Sequence, residues 1–189
     1  MKRNVQQMLL IAIFTLLTAC GKSEIPVSHN GGEQETSIVQ EVTDDDFIYR
    51  LVTEKAEYEN GADVTLYAEL EYVGEKDSIK IYHAASPFHF HIKELTRHYS
   101  LDYAMNQPLL ETVLTKGEPL REDYQSSGSY SEFDDKEYVQ FLEEFWKTGH
   151  LPDGEYEVAG KADFFVYEED KEEEKKDYQI KAEVSFKVR

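Results

Sequence analysis

Apolar and polar residues alternate along much of this chain, and only one stretch shifts to a helical period. Phe47–Thr53 (FIYRLVT) is a β-branched and aromatic run, followed by the turn signal Glu59-Asn60-Gly61. In 62–73 (ADVTLYAELEYV), Val64, Leu66, Ala68, Leu70 and Tyr72 share one side of an extended chain, with Thr65, Glu69 and Glu71 on the other. A period of two marks a half-buried antiparallel strand. Gly74-Glu75-Lys76-Asp77 breaks the pattern, 79–82 resumes it, and Pro87 interrupts it again before 88–95 (FHFHIKEL). A further run at 109–114 is closed by Lys116-Gly117-Glu118-Pro119. The last two strands are the clearest. Tyr156, Val158, Ala162, Phe164 and Val166 fall on one face, as do Tyr178, Ile180, Ala182, Val184, Phe186 and Val188. Seven or eight strands with turn signals every ten or so residues predict a mainly β chain folded as an antiparallel β-sandwich.

The exception to alternation lies between Pro119 and the last two strands. Asp134 as N-cap with Glu137 three positions later forms a capping box, and Tyr138, Phe141, Leu142 and Phe145 follow at helical spacing with Trp146 beside them. Gly149 and Leu151-Pro152 supply the stop. The spacing predicts one inserted α-helix over about 134–148, lying across one end or face of the sandwich. Its aromatic stripe packs a core, or alternatively presents Tyr138, Phe145 and Trp146 to a partner.

The N-terminal segment follows a different logic. Lys2 and Arg3 precede a mostly apolar stretch of twelve residues, Met8 to Ala19, which is too short for a bilayer span but suits a signal-peptide core. Leu17-Thr18-Ala19-Cys20 then resembles the lipobox of bacterial lipoproteins, and Cys20 is the only cysteine in the chain. The resemblance implies cleavage before Cys20 and a diacylglycerol on its thiol. It implies a protein tethered to the extracytoplasmic face of the cell membrane, with no thiol left for a disulfide or for chemistry. An ordinary secretory signal with an incidental cysteine is the other reading. Residues 20–43, rich in Gly, Ser, Glu and Gln, are expected to be a flexible spacer, leaving 44–189 for the folded domain.

The charge narrows the partners. With 39 acids against 20 bases the formal net charge is −19, which argues against nucleic acid and against flat adsorption on an anionic membrane. An acidic, lysine-rich lipoprotein of this kind resembles those of Gram-positive bacteria. Residues 168–177 (EEDKEEEKKD) hold seven acids and three bases and are expected to form a solvated hairpin tip, without the residue spacing of a calcium loop.

Candidate chemistry is sparse. His89 and His91 sit two apart and so point to the same side of a strand, a spacing that can place two imidazoles on one Zn²⁺ or Cu²⁺ ion. A third ligand would have to come from His83, His98 or a neighbouring acid. Alternatively Phe88, Phe90 and Ile92 face the core while the two histidines face water. No nucleophile-elbow motif, free cysteine or phosphate-cradling glycine loop is present, and no cofactor is expected.

Two further stretches carry a resemblance. Thr115-Lys116-Gly117-Glu118-Pro119-Leu120 and Leu151-Pro152-Asp153-Gly154-Glu155-Tyr156-Glu157-Val158 resemble the second half of the Ig-like intracellular proteinase inhibitor family of bacilli. ADVTLYAELEYVG and PFHFHIKE are similar to its first strands. The resemblance implies an Ig-like sandwich over about 45–189, with Tyr156 anchoring a strand start in the manner of a tyrosine corner. The inserted helix, the segment 99–108 and the export signal depart from that family. Three functions are therefore expected, in this order. The first is a non-enzymatic protein-binding or adaptor module of the cell envelope. The second is a protease inhibitor, with 124–132 (YQSSGSYSE) entering the protease cleft. The third is a metal-binding envelope protein using His89 and His91.

Overall fold

The alternating segments form eleven strands and a single helix among the described residues, which are 37–101, 105–126, 129–167 and 174–189 of a computed structural model. In chain order the strands are β1 (Ile38–Asp44), β2 (Phe47–Thr53), β3 (Glu57–Tyr58), β4 (Leu66–Tyr72), β5 (Ser78–His83), β6 (Phe88–Glu94), β7 (Tyr99–Leu101), β8 (Leu110–Thr115) and β9 (Leu120–Asp123). Helix α1 (Lys136–Thr148) precedes β10 (Gly154–Tyr167) and β11 (Lys175–Val188). The proposed leader, Cys20, residues 20–36 of the spacer and residues 168–173 of the charged tip lie outside the described residues.

Two sheets stack to form the sandwich. One has the order β1-β2-β4-β9. The other runs β3-β11-β10-β5-β8, with β6 also on β10 and β7 on β6. Strands β2, β4 and β9 stand where an Ig domain has A, B and E, while β5 with β6, β10 and β11 stand at C, F and G. The chain crosses between sheets after β2, so that β3 pairs in parallel with β11 at Lys187↔Glu57 and Val188↔Tyr58. The fold is thus an Ig-like sandwich, and α1 is inserted in the E-to-F crossover.

The predicted faces are the observed ones. Tyr156, Val158, Ala162, Phe164 and Val166 of β10 are buried, as are Tyr178, Ile180, Ala182, Val184, Phe186 and Val188 of β11. Aromatic rings bridge the sheets, with Phe47 edge-on to Phe164 at 4.8 Å and to Tyr178 at 4.9 Å. Such tilted pairs contribute beyond their area. At Gly160 a Cβ would come within 2.5 Å of the Tyr49 hydroxyl, so only glycine lets the sheets approach there. Tyr156 has no exposed surface and donates its hydroxyl to Pro152 O at 2.6 Å, the arrangement of a tyrosine corner.

Three sequence expectations shift. The spacer is shorter than 20–43, because Ile38–Asp44 pairs with β2 along its whole length, from Ile38↔Thr53 to Asp44↔Phe47. Strand β1 is a sheet edge with one open side and carries Gln40, Glu41 and Asp44, which hide its apolar period. The strands number more than seven or eight because β1, read as spacer, and the short β3, β7 and β9, of two, three and four residues, add to the runs the alternation shows. The helix begins one residue later than the capping box implied. Asp135 is the N-cap and accepts from Glu137 N at 2.7 Å, while Asp134 accepts from Ser131 N at 2.5 Å. Gly149 stops the helix as expected, in the left-handed region with φ 76°, its N–H bonded to Phe145 O. No helix among the described residues is long and apolar enough to cross a membrane.

Candidate binding surface

Helix α1 sorts its aromatic residues by angle. Phe141, Leu142 and Phe145 are buried, with Phe145 only 2% exposed, so Phe145 is a core residue and not part of a partner face. Tyr138 is half-buried, packs edge-on against Tyr99 at 5.1 Å and donates to Ser100 O at 2.8 Å, which ties the helix to β7. Phe141 meets Tyr99 at 5.3 Å, and the Arg97 guanidinium lies 5.6 Å from the Phe141 ring centre. Of the three residues expected at a partner face, Trp146 alone is exposed, at 38%. It stacks on Tyr130 at 5.5 Å with 16° between the rings.

Trp146 has company that sequence reasoning missed. Tyr130 is 42% exposed and Phe133 is 90% exposed, both in the segment leading into α1. The Tyr130 hydroxyl donates to the Glu143 carboxylate at 3.0 Å, which fixes the ring over the helix and pushes the phenol above its ordinary pKa. Between residues 130 and 150 the chain has six acids and two lysines. The signal was present in the sequence: SYSEFDDK places two large rings among polar residues, outside any strand or helix period.

The histidines take the water-facing reading. Phe88, Phe90 and Ile92 are buried, and His89 and His91 are half-buried on the outer side of β6. His89 stands opposite Lys161 of β10, whose ammonium pairs with Asp163 at 2.6 Å. Burial, and after it the Lys161 charge, push the His89 imidazole below its ordinary pKa. The Lys161 charge that disfavours a proton on His89 disfavours a metal cation there as well. His83 is not the third ligand. It alternates to the inner side of β5, where its ring nitrogens lie 2.8 Å from Thr112 Oγ1 and 2.9 Å from Ala84 O. No group of three His, Cys, Asp or Glu side chains among the described residues is placed to hold a metal ion.

Between β5 and β6 the residues 84–87 loop out of the sheet. Phe165 of β10 stands opposite Tyr82, and Ala162 opposite Phe88, so β10 spends three residues where the other chain spends six. Pro87 lacks the N–H a regular ladder needs, and its carbonyl accepts from Asp163 N at 2.8 Å. Bulges of this kind re-aim side chains. Outside the sheet, Tyr82 stacks on Phe165 at 5.2 Å and meets Tyr167 at 4.9 Å. The Lys175 ammonium lies 4.8 Å from the Phe165 ring centre. These rings largely occupy one another, as cross-strand pairs do.

The segment 124–132, expected to enter a protease cleft, begins inside the fold. Tyr124 packs edge-on against Phe90 at 5.7 Å, and residues 127–128 lie outside the described residues. The chain matches no protein-family model, and comparison with curated proteins likewise finds no match.

Proposed function

We propose that this chain is a lipoprotein of the cell envelope, held to the membrane by a diacylglycerol on Cys20. Its Ig-like sandwich serves as a non-enzymatic docking module for a basic protein segment. The observation that carries the docking reading is the exposed Tyr130–Trp146 stack with Phe133 nearby in sequence, set in a stretch of six acids and two lysines. Large rings that water reaches supply the apolar anchor of an interface. The surrounding carboxylates select a Lys- or Arg-bearing partner and repel an acidic one. Glu143 orients Tyr130, so little ordering remains to be done on binding. The anchor reading rests on the order of charged start, apolar core, small residue and cysteine over residues 1–20. Two acyl chains, at about 0.8 kcal/mol per buried CH₂, hold a protein stably where one does not.

The anchor is tested by cell fractionation. The wild-type protein should pellet with membranes and label with an alkyne fatty acid, and Cys20→Ser should do neither. Membrane retention and labelling by Cys20→Ser would remove the lipoprotein reading. The docking face is tested by placing a photoreactive residue at position 146 in native envelopes, mapping the captured peptide, and titrating that purified partner. The expected result is a Lys- or Arg-rich contact, weakened at least ~30-fold by Trp146→Ala and further by salt. An acidic contact peptide, or equal affinity for Trp146→Ala, would overturn it.

A further inference from the structure

Strand β9, the open edge of the first sheet, turns a carboxylate inward. Leu120 and Glu122 face the interior while Arg121 and Asp123 face out. Glu122 stands opposite Ala68, which has no exposed surface. A carboxylate at a core-facing register is costly unless it is paired. Glu122 forms no ion pair with any lysine or arginine among the described residues. Its partner there is the Ser86 hydroxyl, which donates to Oε2 at 2.6 Å across the gap between the sheets. Ser86 is aimed by the 84–87 bulge and fixed by the Phe88 N–H, which donates to its Oγ at 2.9 Å. Oε1 has no donor among the described residues.

Glu122 borders a cleft of about 520 Å³ at the open side of the sandwich. Phe88, Phe90 and Tyr124 give it an aromatic lining, and Met105 adds a thioether. Two carboxylates line it and no basic side chain does. One of the two, Asp123, already holds Arg121 at 2.7 Å. Glu122 is left as the charge of the cleft. A carboxylate beside aromatic rings, with the inner shell fixed by a hydroxyl, matches one ligand chemistry: a cation on an apolar stem. Its methylenes lie along the cleft wall, its charge meets the carboxylate, and Tyr124, the aromatic of the lining that is not fully buried, adds a cation–π contact.

We propose that this cleft recognises the ammonium or guanidinium group of an organic cation carried on an aliphatic stem, with Glu122 as counter-ion. The site uses β6, β9 and the 84–87 bulge, and it does not depend on the docking face of α1. The same inward acid could instead guard the β9 edge against pairing with a second sheet, and the experiment separates the two roles.

Met105 is a convenient reporter, because the chain's other methionines are Met1 and Met8. The full chain is labelled with ¹³C-methyl methionine, Met105→Leu assigns the resonance, and four probes are titrated. These are the N-acetyl methylamides of lysine, arginine and norleucine, and the free diamine cadaverine. The expected result is a saturable Met105 shift with a cation, at a Kd on the order of 1 mM or tighter. Norleucine, which keeps the stem and drops the charge, should bind at least ~10-fold more weakly. Tighter binding of the amino-acid amides than of cadaverine would assign the site to a peptide side chain, and the reverse order to a free amine. Glu122→Gln keeps an acceptor for Ser86 and should lose ~10-fold, with Met105 dispersion and thermal unfolding reporting that the fold is intact. Should that variant unfold, Tyr124→Leu, which keeps the charge, should weaken the cations ~3-fold and norleucine hardly at all. No saturable shift with any cation, or equal binding of norleucine, would overturn the proposal. So would wild type that ignores cations while Glu122→Gln self-associates, since Glu122 would then be an edge guard.

Discussion

Replacing Glu94 with glutamine tests how the tyrosine corner end of the sandwich is held. Glu94 closes β6 with no exposed surface, beside Tyr156 in the register of β10. Its carboxylate accepts two backbone donors on different oxygens, Thr96 N at 2.8 Å on Oε1 and Arg97 N at 2.6 Å on Oε2. Glutamine keeps the volume but offers one carbonyl oxygen and one NH₂, so one backbone N–H must face another donor. A hydrogen bond to a charged acceptor contributes about 1.5–3 kcal/mol. Thr96 and Arg97 are themselves exposed, so water reaches the abandoned amide and the full burial penalty does not apply. The Arg97 guanidinium, 3.6 Å from Oε1 and 35% exposed, adds little. The expected loss is therefore about 2 kcal/mol. With a urea slope of about 2 kcal/mol per M, the unfolding midpoint should fall by about 1 M. Gly154→Ala should destabilise too, because a Cβ there would sit 2.6 Å from Glu94 Oε1 and push the carboxylate off its donors. Its effect should shrink in the Glu94→Gln background, since the two sites share one contact. A Glu94→Gln midpoint within about 0.2 M of wild type would refute the account and leave the turn held by its own backbone.

Other substitutions probe neighbouring claims. Tyr156→Phe deletes only the hydrogen bond to Pro152 O and should cost about 1 kcal/mol, a fall of roughly 3 °C in Tm by calorimetry; no fall would empty the tyrosine corner of energetic meaning. Phe145→Ala should cost about 3–5 kcal/mol in chemical denaturation, whereas Trp146→Ala, one residue along, should cost about 1 kcal/mol or less. Equal costs would mean the helix is rotated from the orientation described. His89 bears on pH. Burial and Lys161 lower its folded pKa, so the unfolded chain takes up the proton first as pH falls. Its contribution is present above the ordinary histidine value of about 6.5 and is lost below it, until the folded imidazole titrates. His89→Gln should flatten the stability slope just below about pH 6.5, and an unchanged slope would place that titration elsewhere.

The long strands were legible because each has enough residues for its period to show. Strands β10 and β11 have 14 residues each, and every apolar position assigned to their inner faces is buried. Short or edge elements lack that redundancy. Strand β9 has four residues, so the inward turn of Glu122 could not be told from an ordinary charged position. Strand β1 reads as spacer because it is an edge strand whose polar positions Gln40, Glu41 and Asp44 hide its apolar period. At the helix start Asp134 and Asp135 are both competent caps, and the structure uses them for different donors. The core-packing reading of the helix stripe holds at Phe141, Leu142 and Phe145, and the alternative partner face fails at Phe145 for a geometric reason. Phe145 and Trp146 are adjacent in sequence and so about 100° apart around a helix, which cannot put both on one face. The bulge at 84–87 was marked by Pro87, but how many residues leave the ladder depends on pairing across to β10, which no local pattern carries.

The two proposed recognition surfaces differ in how salt should act on them, and that difference follows from burial. On α1 the acids stand in solvent, where charges separated by more than about 8 Å are largely screened at physiological ionic strength. They steer a basic partner toward the Tyr130–Trp146 stack from a distance, so salt should slow association there more than it speeds dissociation. Glu122 is half-buried on the inner side of β9 and borders an open cleft, where salt screens less than it does at the free helix surface. A cation seated there should lose less affinity with added salt than a partner on α1 does. A chain with net charge −19 concentrates cations near its whole surface, and that alone gives no selectivity. Selectivity has to come from fixed geometry, which α1 provides through Glu143 holding Tyr130, and β9 through Ser86 holding Glu122. In both places a neutral hydroxyl orients a carboxylate or is oriented by one, and no internal lysine or arginine among the described residues neutralises it. Each carboxylate therefore stays available to a charge that arrives from outside.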